Sequence, residues 1–465
     1  MDDWRPELTG GVATLYRQLV DALERDIGAG VLRPGMRLPP QRVLADRLRL
    51  SVGTVTKAYV EAERRGLVAG HVGRGTFIAE PRQATPDNAR DGGRNRPIDL
   101  AYNILPLDAV SGPFVEALGA LRRRSDLLDV LTYAPPAGYE AHRQAAVRFL
   151  DQLCGYRPDW TRLVLTTGAQ QAMALAFQAV CHPGDVVLCE EPTFSGMQSI
   201  AERAGYRLVG VAMDEQGVIP AALEKVARAT SARALYTMPT VQNPTGRTMG
   251  SARRDEVVRV ARKHNLWIVE DDNYAPFAAE QDRLAPRLAE LAPERSFHVS
   301  GLSKSLAAGL RTGFLICPSD ELLDRVIRMV RADLYAPPAF GALVFTQWVE
   351  DGTAMAVVEA HRREVAVRYQ YAVKALGERI ERLAAPAPHV WLPCGELEAE
   401  RLAGLALRLG VAVTPPMAPF AAGATISGLR LCIGAPPTRV ELEKGLGVIA
   451  SALAGVRSSS DLAVV

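Results

Sequence analysis

Of the 54 lysines and arginines in the chain, only six are lysines. Where a bare positive charge suffices the chain uses arginine, so the lysine among small residues in "SGLSKSLAAGLRTGF" (300–314) asks for a chemical reason. A lysine amine gives up a proton and attacks a carbonyl carbon, which a guanidinium does not do. Lys304 is therefore the candidate nucleophile, with Ser303 beside it and Arg311 following in the same stretch. Lys225, Lys263, Lys374 and Lys444 lie in charged, helix-like segments without comparable neighbours.

The common lysine-bound aldehyde of the cytoplasm is pyridoxal 5′-phosphate, and a site for it makes further demands. An anion must keep the ring nitrogen protonated, and "LWIVEDDNYAPF" offers Asp271, with Tyr274 shortly after it. A donor must face the ring oxygen, and "MPTVQNPTGRT" offers Asn243 in a turn. The phosphate wants a helix amino terminus built of small residues, as in "LTTGAQQAMALAF" with Gly168, Ala169 and Gln170. Ser303 and Arg311 are added phosphate donors. Phe194 in "EEPTFSG" is a flat partner for the ring. Singly, an acidic pair is an ordinary loop, NPTG an ordinary turn and Phe194 an ordinary core residue. Together, in this order and each behind an apolar run, they point to a cofactor site with Lys304 and Asp271 as its catalytic pair.

These residues need a scaffold. "RLVLTTG", "DVVLCEEP", "ARALYTMP", "LWIVEDD" and "FHVSG" read as short strands, and "AQQAMALAFQAVC" and "SARRDEVVRVARKHN" as helices between them. The alternation predicts an α/β domain with a mainly parallel sheet and its ligand at the carboxyl ends of the strands. Ahead of it, "PRQATPDNARDGGRNRP" (81–97) has three prolines, adjacent glycines and no aromatic or β-branched apolar residue, and reads as a flexible linker. The expected division is a module at 1–80, the linker at 81–97 and a body at 98–465.

Apolar residues make up 48% of the 465 positions and charged residues 23%. No apolar run approaches the ~18 residues of a membrane span, and the expectation is a cytoplasmic protein without a membrane partner. Six scattered cysteines lack CxxC spacing and seven histidines lack metal-binding spacing, so no metal is expected.

Within the module, Leu15, Leu19, Leu23 and Ile27 form one face of a first helix. Val43, Leu44 and Leu48 point inward from a second helix. Ser51 caps a third whose buried stripe is Val55, Ala58, Tyr59 and Ala62, and Gly66 stops it. "LVAGHVGRGTFIAE" follows as two strands around a glycine-rich turn with Arg74 at its tip. Between Arg33 and Ile78 nine basic residues face three acidic ones, a local charge of +6. A helix-turn-helix with a wing and such charge predicts contact with double-stranded DNA through Thr54, Thr56 and Lys57 on the third helix.

"LPPQRVLADRLRLSVGTVTKAY…AERRGLVAGHVGRGTFI" resembles the winged helix of GntR-family transcription regulators. The resemblance implies DNA contacts at Arg42, Thr54, Thr56 and Gly73, besides Lys57 and Arg74; it departs at Val52, where the family often has arginine. The body resembles fold-type I aminotransferases of the aspartate aminotransferase superfamily from about residue 98 onward. That likeness implies a large domain with a mainly parallel sheet and a small domain drawn from both ends of the body. "YAPPAGYEAHRQAAVRFL" is similar to the segment whose tyrosine, here Tyr133, reaches the phosphate bound by the partner subunit of a homodimer. "SGLRLCIG" is similar to the strand whose arginine, here Arg430, grips the substrate α-carboxylate. A phosphate-binding serine common in the family is replaced by Gly301. The combination resembles the MocR group of regulators. It implies a transcription regulator that holds pyridoxal phosphate on Lys304 and senses an amino compound or pyridoxal phosphate itself; the alternative is a working aminotransferase.

Overall fold

Three helices and a hairpin build the first of the two units into which the chain divides, Met1–Asp87 and Asn88–Val465. The computed structural model describes residues 4–6, 15–33, 35–64, 67–71, 75–78, 96–419 and 426–460. Helix α1 spans Leu15–Gly28, α2 Gln41–Leu48 and α3 Val52–Arg64. Ser51 Oγ accepts the Thr54 backbone N–H at 3.1 Å, beside the Ser51 carbonyl at 3.0 Å, and so caps the start of α3. Arg49 takes a left-handed φ of 53° and turns the chain between α2 and α3.

Leu19, Leu23, Leu44, Val55, Ala58 and Ala62 are buried in the shared core, and the Tyr59 hydroxyl donates to Pro39 O at 2.8 Å. Two expected core residues face outward. Leu15 is 48% exposed because it opens α1, and Val43 is 39% exposed because α2 turns Leu44 and Ala45 inward, about 100° per residue around the helix. Strands β1 (Val68–His71) and β2 (Gly75–Ile78) pair antiparallel as the wing. The expected helix stop at Gly66 and the wing residues Gly73 and Arg74 lie outside the described residues.

The second unit opens with β3 (Ile98–Leu100). Its large sheet contains β4 (Leu163–Thr166), β5 (Val186–Glu191), β6 (Arg207–Asp214), β7 (Gly217–Val218), β8 (Ala234–Thr237), β9 (Trp267–Asp271), β10 (Ser296–Gly301) and β11 (Gly313–Ile316). They lie in the order β4-β11-β10-β9-β8-β5-β6-β7. Strands β6, β5, β8, β9 and β10 run parallel, while β11 runs against both β10 and β4. The reversal follows from the loop at 302–312, too short for the helical crossover that a parallel return needs. Apolar clusters on both faces bury β4, β5, β8, β10 and β11 along their whole length, which is why they read as unbroken hydrophobic runs.

Strands β12 (His389–Pro393) and β14 (Gly428–Cys432) pair antiparallel, and β13 (Val411–Val413) pairs with β3. Helices Thr353–Leu376, Glu396–Arg408 and Arg439–Ser460 pack with them around Leu100, Leu402, Leu431 and Leu446. The first strand of the body thus joins its last helices in a smaller domain.

Candidate functional site

The carboxyl ends of β4, β5, β8, β9 and β10 hand candidate side chains or backbone turns to a common cavity of about 510 Å³. Ala169, Gln170, Phe194, Asn243, Asp271, Tyr274, Ser303, Lys304 and Arg311 line it, and Arg430 reaches it from β14. Residues that the sequence spreads over more than 250 positions meet because parallel strands present their ends on one edge of the sheet.

Lys304 is half-buried, and desolvation pulls its ammonium down to about 8. Its Nζ donates to the backbone carbonyl of Asn103. Asp271 is buried and accepts from the Tyr236 hydroxyl at 2.8 Å and from Asn273 Nδ2 at 2.6 Å. Burial raises its carboxyl even against these donors, so the site would reward a cation placed beside it. Arg430 donates through Nη1 to Asn243 Oδ1 at 2.7 Å, through Nη2 to Ala101 O at 3.0 Å, and through Nε and Nη2 to Thr414 Oγ1 at 3.2 and 3.0 Å. Since Asn243 accepts with its oxygen, its amide nitrogen is left as a donor.

The opposite end gathers the donors that an anion would need. Helix Ala169–Val180 begins after Gly168, whose φ of 117° belongs to glycine and whose added Cβ would lie 2.7 Å from Arg311 Nη2. Arg311 donates through Nη2 to Thr167 O at 2.7 Å and through Nη1 to Ser303 Oγ at 3.4 Å. The free N–H groups of the helix start, Ser303 and the guanidinium converge as a phosphate site would require. Gln170 turns aside, donating to Gly196 O at 2.9 Å. At Gly301 a Cβ would sit 3.3 Å from both Asn273 Oδ1 and Thr312 O, so the position is tight as well as lacking a hydroxyl. Tyr133 is 79% exposed, its ring tilted by 56° against Tyr335 with centroids 4.7 Å apart, and it is absent from the lining of this chain's cavity.

Sequence reasoning missed four polar residues that hold the others. Tyr236 and Asn273 position Asp271, Thr414 positions Arg430, and Asn103 meets Lys304 and Tyr274. The segments "AYNILP" and "VTPPMAPF" look like a mostly apolar pocket edge, which hides Asn103 and Thr414; Phe420 of the second lies outside the described residues. In α2 and α3, Arg42 and Lys57 are exposed, whereas Thr54 and Thr56 are half-buried. Their hydroxyls already have partners, Thr54 with Ser51 Oγ at 2.8 Å and Thr56 with Gln41 Oε1 at 2.8 Å. Among the described residues no group of histidine, cysteine and acidic side chains could hold a metal, and no helix is long and apolar enough to cross a membrane.

The aminotransferase class I and II family model matches residues 95–449, and that of the bacterial regulatory proteins of the gntR family matches residues 15–78. The chain belongs to the aminotransferase class I and II family and carries a GntR-family helix-turn-helix domain ahead of that body. It is 28% identical to YdeF of Bacillus subtilis, an uncharacterized HTH-type transcriptional regulator, over 96% of both chains. It is 30% identical to YjiR of Escherichia coli, named likewise, over 65% of this chain and 69% of that one. Among solved structures, LysN from Thermus thermophilus, an alpha-aminoadipate aminotransferase complexed with N-(5′-phosphopyridoxyl)-L-leucine, is 26% identical. The likeness covers 78% of this chain and 93% of that one with a TM-score of 0.68.

Proposed function

We propose that this protein is a DNA-binding transcription regulator whose body holds pyridoxal 5′-phosphate on Lys304 and senses an amino compound through Arg430. The observation that carries the reading is the single cavity that unites a depressed lysine, a buried carboxylate, a phosphate cradle and an arginine, in a chain that also bears a winged helix. When bound, the cofactor supplies an aldehyde carbon for the lysine nitrogen and a cationic ring that withdraws electrons.

The chain's own residues fit that group. Lys304 offers an amine that is largely unprotonated at mildly alkaline pH. Asp271, raised by burial, gains most from a protonated ring nitrogen, which restores its charge balance. Asn243 and Tyr274 would hold the ring oxygen, Phe194 would cover the ring, and Gly168, Ala169, Ser303 and Arg311 would receive the phosphate. Arg430 takes the carboxylate of an amino acid, for which its planar fork is suited. Tyr133, exposed on this chain, completes the phosphate site of a second copy in a homodimer, which also presents two winged helices to DNA. Arg42 and Lys57 supply phosphate contacts there. A cytoplasmic location accords with this role.

The test is to titrate the purified protein with pyridoxal phosphate, then with amino acids and 2-oxo acids, while following absorption and binding to its own upstream DNA. A lysine-dependent band and a ligand-dependent, steeply salt-sensitive DNA affinity are expected. The second reading, a working aminotransferase, is favoured by one observation: Lys304, Asp271, Asn243 and Arg430 all line the cavity. Repeated amino transfer to an oxo acid at multiple turnovers would decide for it.

A further inference from the structure

Asn103, His389 and Tyr274 are buried together where the small domain meets the cavity. Asn103 Nδ2 donates to the Tyr274 hydroxyl oxygen at 2.8 Å and lies 3.0 Å from His389 Nδ1. His389 Nε2 lies 3.3 Å from the backbone carbonyl of Gln242, next to Asn243. The His389 ring stands edge-on to Tyr274 at 5.2 Å.

The protons in this chain of contacts follow from one fixed point. A carbonyl only accepts, so His389 Nε2 carries the proton. Burial first, and then the charges of Arg430 and Lys304, hold the imidazole down to about 3, so it is neutral and has one proton to place. Nδ1 is therefore an acceptor and requires the amide nitrogen of Asn103, not its oxygen, to face it. The second proton of that nitrogen goes to Tyr274. With its oxygen already receiving, the Tyr274 hydroxyl keeps its own proton for another acceptor, and none of the described residues accepts it. Tyr274 lines the cavity, so the proton points where a ligand would lie. The charged and titratable groups facing this array are Arg430 and Cys432 on β14, Lys304 after β10 and Asp271 on β9.

We propose that His389 is a positioning residue: through Asn103 it makes the Tyr274 hydroxyl an obligate donor into the cavity, aimed at an anionic ring oxygen of the bound cofactor. The proposal rests on the pyridoxal phosphate reading above. It assigns to the small domain, which supplies β12, a part in tuning the large domain's site.

The measurement is the pH dependence of absorption of the full-length protein loaded with pyridoxal 5′-phosphate. A donor to the ring oxygen shares its negative charge with the neighbouring lysine nitrogen's proton. Without that donor the nitrogen holds its proton more tightly, and the midpoint rises. Tyr274→Phe and His389→Leu are each expected to raise it by about one pH unit, a shift typical of losing one charge-assisted contact. His389→Asn, whose Oδ1 takes the place of Nδ1, should restore the wild-type midpoint. The double variant should shift no further than Tyr274→Phe alone, because both act through one proton. Asn103→Asp, which accepts the Tyr274 proton itself, should also raise the midpoint and serves if His389→Leu does not fold. A wild-type midpoint in His389→Leu or in Asn103→Asp, or full additivity in the double variant, would overturn the proposal alone. Absence of any Lys304-dependent band in the wild type would overturn the cofactor reading and this inference with it.

Discussion

Arg430 Nη1 donates to Asn243 Oδ1 at 2.7 Å, joining β14 of the small domain to the loop after β8 across 187 positions of sequence. The contact orients the Asn243 amide nitrogen as a donor and holds the guanidinium at the cavity wall. Both bidentate edges of Arg430 include an N–H already given to Thr414 or to Ala101 O, so a ligand carboxylate must displace one of them. Arg430→Lys should weaken binding of N-(5′-phosphopyridoxyl)-L-leucine by roughly 10- to 100-fold, the worth of one charged hydrogen-bond pair. Pyridoxal phosphate alone should bind within about threefold of wild type, since it has no α-carboxylate. Calorimetric titration with both compounds checks the difference, and equal losses for both would contradict the assignment.

The depressed lysine makes a prediction about rate. An amine attacks only when unprotonated, and its active fraction grows as pH rises through the folded-state value. Capture of pyridoxal phosphate by the protein should therefore rise with a midpoint near 8, as Lys304 does, and not near the ~10.4 of a free lysine. Stopped-flow absorption across pH 6 to 11 reads this directly. Lys304→Ala should remove the band altogether; a band that survives the substitution would place the nucleophile elsewhere.

Gly168 carries the cradle's geometry. An alanine there would strain the backbone at φ 117° and press on Arg311 Nη2. Gly168→Ala should cost about 1–3 kcal/mol of stability, the usual penalty for a side chain in such a conformation. It should also weaken pyridoxal phosphate binding by at least about tenfold, one charged contact's worth, as Arg311 is pushed from Thr167. Thermal melting and equilibrium dialysis test the two effects separately.

On the winged helix, Lys57 is exposed while Thr56 is tied to Gln41. Lys57→Ala should weaken binding to all duplexes alike and lower the slope of log affinity against log salt by about one, as loss of a single phosphate contact does. Fluorescence anisotropy over a salt series measures it. A change confined to one DNA sequence would instead make Lys57 a reader of base edges.

The sequence alone determined the kinds of residue present and the elements they sit on. Buried parallel strands announce themselves as apolar runs, and the polar residue after each run marks a strand end, so Asp271, Asn243, Phe194 and Lys304 were legible one at a time. Their periodicity depends only on neighbours along the chain. Ser51 as a helix cap is local in the same way, whereas the exposure of Leu15 and Val43 depended on what packs beside them. Only the tertiary structure decided which side chains hold the site residues in place. Tyr236 beneath Asp271, Thr414 beneath Arg430 and Asn103 between Tyr274 and His389 come from separate segments. No spacing marks them, because a hydrogen bond between distant segments depends on how strands are ordered in a sheet and, for Asn103, on where the small domain closes.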